Sequence, residues 1–586
     1  MDKVIQAAKG TIPFDLVIRN LKYVNLITRE IYPAEIGITD GKIAHVSQPN
    51  ERGLEAKSYY DAQGKHALPG LIDTHVHIES SMMNPAHFAE AIVPRGTTTI
   101  AADPHEIANV LGTAGVKYIV ESSEEIPISI FVLAPSCVPS VPGMETAGAA
   151  FGPVEIKEML KLERMIGIGE VMDFVGVLEQ SERMSGIVGA GKEAKLFVQG
   201  HAPSLSGRDL SAYLSAGIES DHETSFSEEA REKLRAGMVL ECRESSIVHD
   251  LEALVPVIKE LQYPDTTTLC TDDREPDDLL QEGHLDHGIR RAIALGMPPI
   301  EILRMATLHG ARLLRLRDRG ILTPGKRADL ILVEDLEEFT VDEVFVAGEL
   351  VAKAGAMTVE VTVPSHPVEE HNSVHLDRPI TEADFEVRAS GDVVRLNVIA
   401  YTPETHILTK RVVREFPVES GLVVMDDVEL CRLAVFERHG VNGNRSLGVI
   451  QGFGLKEGAI ASTVSHDCHN LVVVGKDPHD MKIAAEALLA SGGGIVCVKD
   501  GKQLAMVELP IAGLMSKKGL AEMAVETKKL KETIISFGID AVSPIIQVAA
   551  FALPVIPEIR LTDMGLVDVI HQSWIPLFEQ GGKENE

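Results

Sequence analysis

The stretch Leu68-Pro69-Gly-Leu-Ile-Asp-Thr-His75-Val-His77 decides the fold. It starts as an apolar run and ends on two histidines spaced two apart. Alternate residues of a strand share a face, so both imidazoles can reach one ion. A lone H-x-H pair is a weak signal, and its weight comes from what lies further along the chain. Seven more short apolar runs follow, predicted as strands at Thr97–Asp103, Ile128–Ala134, Gly167–Val171, Lys195–His201, Ile218–His222, Met238–Arg243 and Thr268–Asp272. Helical stretches lie between them, for example Phe88–Val93, Pro153–Met165, Ser227–Ala236 and Leu251–Leu261. Eight strands alternating with helices predict a (β/α)8 TIM-like barrel, with an open doubly wound sheet as the structural alternative.

A barrel demands reactive residues at the C-terminal ends of its strands. Here those ends carry His75 and His77, then Glu170, His201, His222 and Asp272. Four histidines and two carboxylates exceed the needs of one ion, so the set predicts a binuclear divalent-metal site with Glu170 as the bridging carboxylate. The mixture lacks thiolate, which suits Zn, Mn or Fe.

On either side of the barrel the texture changes. Asp15-Leu-Val-Ile, Tyr23-Val-Asn-Leu-Ile and the turn Asp40-Gly41 on one flank, and Ala328-Asp-Leu-Ile-Leu-Val333 with Val344-Phe-Val-Ala-Gly348 on the other, are strand-like. The expected organisation is a small composite β-sandwich from residues 1–67 and 320–363, a barrel over 68–319, a linker over 364–380 and a C-terminal α+β domain over 381–586. In the last, strands are expected at Val394–Tyr401, Leu471–Val474 and Ile495–Val498, and helices at Pro478–Ala490 and Leu514–Phe537. The glycines 492–494 are expected to stop a helix rather than cradle a phosphate, and the tail from Gly581 to Glu586 to fray.

Composition excludes several function classes. The chain has 586 residues, with 55 Lys and Arg against 87 Asp and Glu, a formal charge of −32. Such a surface repels phosphate backbones and anionic membranes. Only 4% of residues are aromatic, too few for a base-stacking platform. His77-Ile-Glu79 mimics half of a zinc base-flipping deaminase motif, but P-C-x-x-C is absent. The uncharged runs Ile126–Met144 and Ala541–Pro557 are broken by prolines and predict buried strand and loop, not membrane spans. Six cysteines without a C-x-x-C pair, and no apolar leader within Met1–Gly10, predict a reduced, cytoplasmic protein.

Several motifs carry a resemblance. Pro69–His77 resembles the first strand of the amidohydrolase superfamily, and Gly325-Lys-Arg-Ala-Asp-Leu330 with Val344–Gly348 resembles its return into the small β domain. Asp103-Pro-His-Glu106, Gly169-Glu-Val-Met-Asp173, Gln199-Gly-His-Ala-Pro203 and Ser465-His-Asp-Cys-His-Asn470 are similar to the adenine deaminase family, end to end. Glu170 stands where many superfamily members carry a modified lysine, a departure that itself fits adenine deaminases.

The resemblance implies hydrolysis of adenine to hypoxanthine and ammonia in purine salvage, with Mn or Fe(II) before Zn. From the acidic charge no nucleic-acid or membrane partner is expected, and a homodimer or larger assembly is expected without a residue that fixes it. Water activated at the metals would attack C6. Asp272 is the candidate general base and Glu106 the candidate proton donor to N1, with His105 second. Arg243, Glu244, Ser245 and Asp273 are candidate substrate contacts; the alternative for Arg243 and Glu244 is pairing with loop charges. His284 and His287 are expected to support rather than ligate. His466, Asp467 and His469 are a candidate C-terminal site, either another metal cluster or a lid. The rival readings are an N6-substituted purine or a cyclic amide such as a hydantoin or dihydropyrimidine as substrate, and a non-catalytic scaffold.

Overall fold

The structure, a computed structural model, describes residues 2–362, 365–402, 408–539 and 543–579. The chain forms two compact units, residues 1–104, 119–136 and 152–364 in one, and residues 105–118, 137–151 and 365–586 in the other.

The first unit contains all eight predicted barrel strands: β1 (Leu71–Val76), β2 (Thr97–Ala102), β3 (Ser129–Ala134), β4 (Met165–Val171), β5 (Phe197–Gly200), β6 (Ser220–Asp221), β7 (Val239–Arg243) and β8 (Thr267–Cys270). They run parallel in the sheet orders β5-β4-β3-β2-β1 and β6-β7-β8. Backbone hydrogen bonds join the two sheets at both seams: Asp272 N to His75 O at 3.0 Å, and Glu219 N to Val198 O at 3.0 Å. The result is a TIM-like parallel barrel. Every residue of β1 and β2 is buried, as expected of strands covered on both faces.

The helices begin where their caps predict. Asn84 Oδ1 accepts from His87 N ahead of Pro85–Ile92, and Ser181 caps Glu182–Ala194. One connector is shorter than its sequence suggests: the helix from Pro153 ends at Met159, because a turn through Arg164, whose φ is 64°, leads into β4.

The two β-rich flanks meet as expected. His66–Pro69 pairs antiparallel with Leu330–Val333, joining both flanks in one nine-stranded sheet. Its far strand folds back, with Ile43 N bonded to Lys326 O at 2.8 Å. Ile18, Tyr23, Ile36, Ile38, Leu330, Leu332 and Phe345 share the enclosed core. Asp40 and Gly41 make the predicted hairpin turn with φ of 50° and 69°, and a Cβ on Gly41 would lie 3.1 Å from Ala347 O.

The second unit is mostly sheet. Nine strands between Val393 and Glu508 form one sheet, with helices Pro478–Ser491 and Leu520–Ser536, and Ile559–Thr562, Gly565–Asp568 and Ser573–Ile575 form another. Gly492, in the left-handed conformation, stops the first helix as predicted. The second helix starts six residues later than its apolar run, since Ile511–Met515 closes a turn and Gly519 supplies the N-cap. Of the second uncharged run, Pro544–Ala549 is helix rather than strand, while Ala541 lies outside the described residues. The tail from Gly581 to Glu586 lies outside them too. Among the described residues, no helix is long and apolar enough to cross a membrane.

A buried ion pair braces the barrel beside β6. Asp221 and Lys233 have fully buried side chains 2.9 Å apart, and Asp221 also accepts from Ala202 N at 2.7 Å. Burial alone raises the Asp221 carboxyl, but the charge of Lys233 outweighs it and holds the group below its ordinary range. Its contribution to stability is therefore present at neutral pH and lost as acidification passes below about pH 4. Lys233→Met, which strands a buried carboxylate, is expected to cost about 3–5 kcal/mol in chemical denaturation. A loss under about 1 kcal/mol would show that the pair carries no weight.

Candidate metal centre

Each metal-facing residue is set by its strand and by one further partner. His75 closes β1 and His77 follows it on the same face. Gln199 Nε2 donates to Thr74 O and to both oxygens of Glu241, each at 3.0 Å. The amide oxygen of Gln199 is thereby turned to His75 Nδ1, 2.8 Å away, which places the proton on Nδ1 and the lone pair on Nε2. His77 Nδ1 donates to Asp103 O at 2.9 Å, with the same consequence. Glu170 lies in β4, where its N–H donates to Asp103 Oδ2 at 2.9 Å. A Cβ on Gly169 would lie 2.1 Å from that oxygen, so only glycine permits the contact.

These groups converge. Glu170 Oε1 lies 3.4 Å from His77 Nε2, whereas Oε2 lies 2.5 Å from His201 Nδ1 and 3.3 Å from His222 Nε2. One carboxylate thus divides its oxygens between two histidine sets. Asp272 Oδ1 lies 3.2 Å from both His75 Nε2 and His77 Nε2. Asp272 itself has φ of 56°, a left-handed conformation that aspartate tolerates better than most residues. His75 Nε2 and both ring nitrogens of His222 are buried and make no hydrogen bond of proper geometry. Orphaned imidazole nitrogens facing carboxylate oxygens are what ligands around a divalent ion leave when the ion is set aside. Three overlapping sets, His75–His77–Glu170, His75–His222–Asp272 and Glu170–His201–His222, each bring their donors within 4.8 Å of one another.

With carboxylates as their only counter-charges the imidazoles divide: against burial, which lowers both, Glu170 pushes His222 up to about 10, and Asp272 and Glu170 push His77 up, the charge that a divalent ion would supply in their place. Burial alone raises the Glu170 carboxyl, but the charge of His201 and hydrogen bonds from His201, His222 and His77 hold it well below the usual range. Burial, helped by the charge of His222, pushes His75 down to about 4, which keeps it neutral near pH 7.

The remaining predicted residues fall in distinct places. Arg243, at the end of β7, is buried among acids: it donates to Asp272 Oδ2 at 2.9 Å and Asp250 Oδ2 at 3.0 Å, and pairs closely with Glu223. Its guanidinium is engaged by these carboxylates. Ser245 Oγ accepts from Ile247 N and Val248 N, closing a turn. Glu244 is buried, with Oε1 2.8 Å from His249 Nδ1 and Oε2 without a hydrogen-bond partner. Asp273 Oδ1 accepts from Ser80 Oγ at 2.5 Å. His284 is fully buried between Thr97 and Thr271, and burial lowers it to about 3. His287 lies 3.9 Å from Glu244. His105, Glu106, His466, Asp467 and His469 all belong to the second unit, where His469 Nε2 is 3.8 Å from Glu106 Oε2. Sequence reasoning missed Gln199, Glu241 and Glu223; of these only Glu223, adjacent to His222, carried a positional signal.

Residues 66–351 match the amidohydrolase family and residues 406–573 match the adenine deaminase C-terminal domain. Adenine deaminase 2 of Carboxydothermus hydrogenoformans is 42% identical over 98% of this chain and 99% of its own. Adenine deaminase of Methanothrix thermoacetophila is 42% identical over 99% of both chains. This chain belongs to the adenine deaminase family. Among solved structures it is similar to the L-hydantoinase of Arthrobacter aurescens, at 16% identity and a TM-score of 0.44, over 59% of this chain and 98% of that one. The amidohydrolase family implies a divalent-metal site, and the residues gathered at the barrel strand ends fit one.

Gln199→Leu, which removes the partner of His75 Nδ1, is expected to weaken divalent-metal affinity about 10–100-fold, read by chelator competition. Unchanged affinity would show that the amide does not orient His75.

Proposed function

We propose that this chain hydrolyses adenine to hypoxanthine and ammonia. The observation that carries the reading is the division of Glu170 between two histidine sets, in a chain alike from end to end to proteins named adenine deaminase. His75, His77, Glu170 and Asp272 would hold one divalent ion, and Glu170, His201 and His222 the other. Mn or Fe(II) is the first choice, and Zn is compatible with the donors. Such ions supply Lewis acidity and lower the pKa of water toward neutrality.

The rest belongs to the protein. Asp272 Oδ1 faces the site while Arg243 holds Oδ2, so Oδ1 is the oxygen placed to take the proton of the attacking water. Glu106 is the residue proposed to give a proton to N1 as C6 becomes tetrahedral. The C6–O bond forms, the C6–N bond breaks, the proton on Asp272 leaves with the amine as ammonia, and the proton of the new C6 hydroxyl returns to Glu106 as the carbonyl forms. Glu244, through its unpartnered Oε2, is the acceptor that the loop after β7 offers to a purine N–H. Asp273 and Ser245 support that rim through their loop hydrogen bonds. All six cysteines are buried, which suits a reducing cytoplasm. The reading carries with it a role in purine salvage and a homo-oligomeric chain.

Protein loaded separately with Mn, Fe(II) and Zn is expected to release hypoxanthine and ammonia in equal amounts, and to stop on chelation. Asp272→Asn and Glu106→Gln should each lower kcat about 10²–10⁴-fold. Full turnover by Glu106→Gln at unchanged metal content would remove Glu106 from the mechanism. Turnover of an N6-substituted purine or a hydantoin, but not adenine, would replace the substrate.

A further inference from the structure

The second unit holds a constellation of two imidazoles and a carboxylate. His105 opens the helix His105–Leu111, and His466 and Asp467 follow Ser465 in the loop before the strand Leu471–Gly475. His105 Nε2 lies 3.6 Å and His466 Nδ1 3.5 Å from the same oxygen, Asp467 Oδ1. These separations are too long for an N–H···O bond. They are slightly wider than an edge of a coordination sphere, which for donors about 2.1 Å from an ion is about 3.0–3.4 Å, so an ion would draw these donors a few tenths of an ångström together. The barrel centre shows the same signature, with His75, His77 and His222 nitrogens 3.2–3.4 Å from their carboxylate oxygens.

A second parallel concerns orientation. In the barrel, Arg243 ties back one oxygen of Asp272 and leaves the other facing two imidazoles. In the second unit, Ser140 Oγ donates a short hydrogen bond to Asp467 Oδ2 and leaves Oδ1 facing two imidazoles. Asp467 and His105 are each 3% exposed, and the three donor atoms lie within 4.8 Å of one another. His469 is no part of the set: its Nδ1 accepts from Ser465 N at 3.1 Å, so its proton is on Nε2.

We propose that His105 Nε2, His466 Nδ1 and Asp467 Oδ1 form a third divalent-cation site, built from residues of the second unit. Two imidazoles and one carboxylate select the Zn, Mn and Fe(II) class over Ca or Mg. Ser140 acts as a positioning residue that orients the carboxylate.

The test is a count that does not depend on turnover, so it stands apart from the substrate reading. Full-length protein saturated with Mn(II) and passed through gel filtration should carry three ions per chain by elemental analysis. Asp467→Asn and His466→Gln should each carry two, and Glu170→Gln should keep the third ion. Ser140→Ala should weaken that ion's binding about 10-fold in chelator competition. Two ions in the parent protein, or three retained in both Asp467→Asn and His466→Gln, would overturn the proposal. The His466 ring is 16% exposed and so tolerates replacement best, which keeps the test open if Asp467→Asn fails to fold.

Discussion

One buried carboxylate shared between two groups of imidazoles is the constraint on which the barrel depends. Glu170 is 3% exposed and has His77 at one oxygen and His201 and His222 at the other. A carboxylate cannot be taken out of water alone at tolerable cost, so its neighbours must supply positive charge, hydrogen bonds or metal. That requirement propagates outward. Gly169 is small so that Asp103 can accept the Glu170 N–H, and the Asp103 carbonyl in turn fixes His77. Gln199 fixes His75 only because Glu241 and Thr74 fix Gln199. The strands thus do more than carry ligands: side chains on β1, β4, β5 and β7 hold each other's orientation.

Charge compensation is the second theme. The unit buries Asp221 with Lys233 and surrounds Arg243 with Asp272, Asp250 and Glu223. Each such pair is expensive to desolvate and costs more when one member is lost, so these residues make the barrel rim stiff and intolerant of single changes. Rigidity of this kind would serve a metal centre, because donors displaced by a fraction of an ångström lose their geometry.

Much of this was legible in the sequence, and the reasons are particular. His75, His77, Glu170, His201, His222 and Asp272 could be found because each terminates or closely follows an apolar run, and a parallel barrel gathers strand ends at one rim. The hairpin at Asp40-Gly41 and the helix stop at Gly492 were legible because positive φ demands those residue types. Gln199 and Glu241 were not, since their roles arise from side-chain contacts between strands that periodicity does not encode. The pairing of Arg243 was not legible for the same reason: its guanidinium meets three carboxylates contributed by different parts of the chain. The helix beginning at Leu520 instead of Leu514 shows an apolar run overridden by a turn and a glycine cap. His466 and Asp467 stood out as a cluster, but their link to His105 spans most of the chain and needs tertiary structure.

The central claim is that Glu170 bridges two ions, and electron paramagnetic resonance of the Mn(II)-loaded protein tests it most directly. A bridged pair predicts an exchange-coupled multiline spectrum that collapses to isolated six-line Mn(II) in Glu170→Gln. An uncoupled six-line spectrum in the parent protein at two barrel ions per chain would contradict the account.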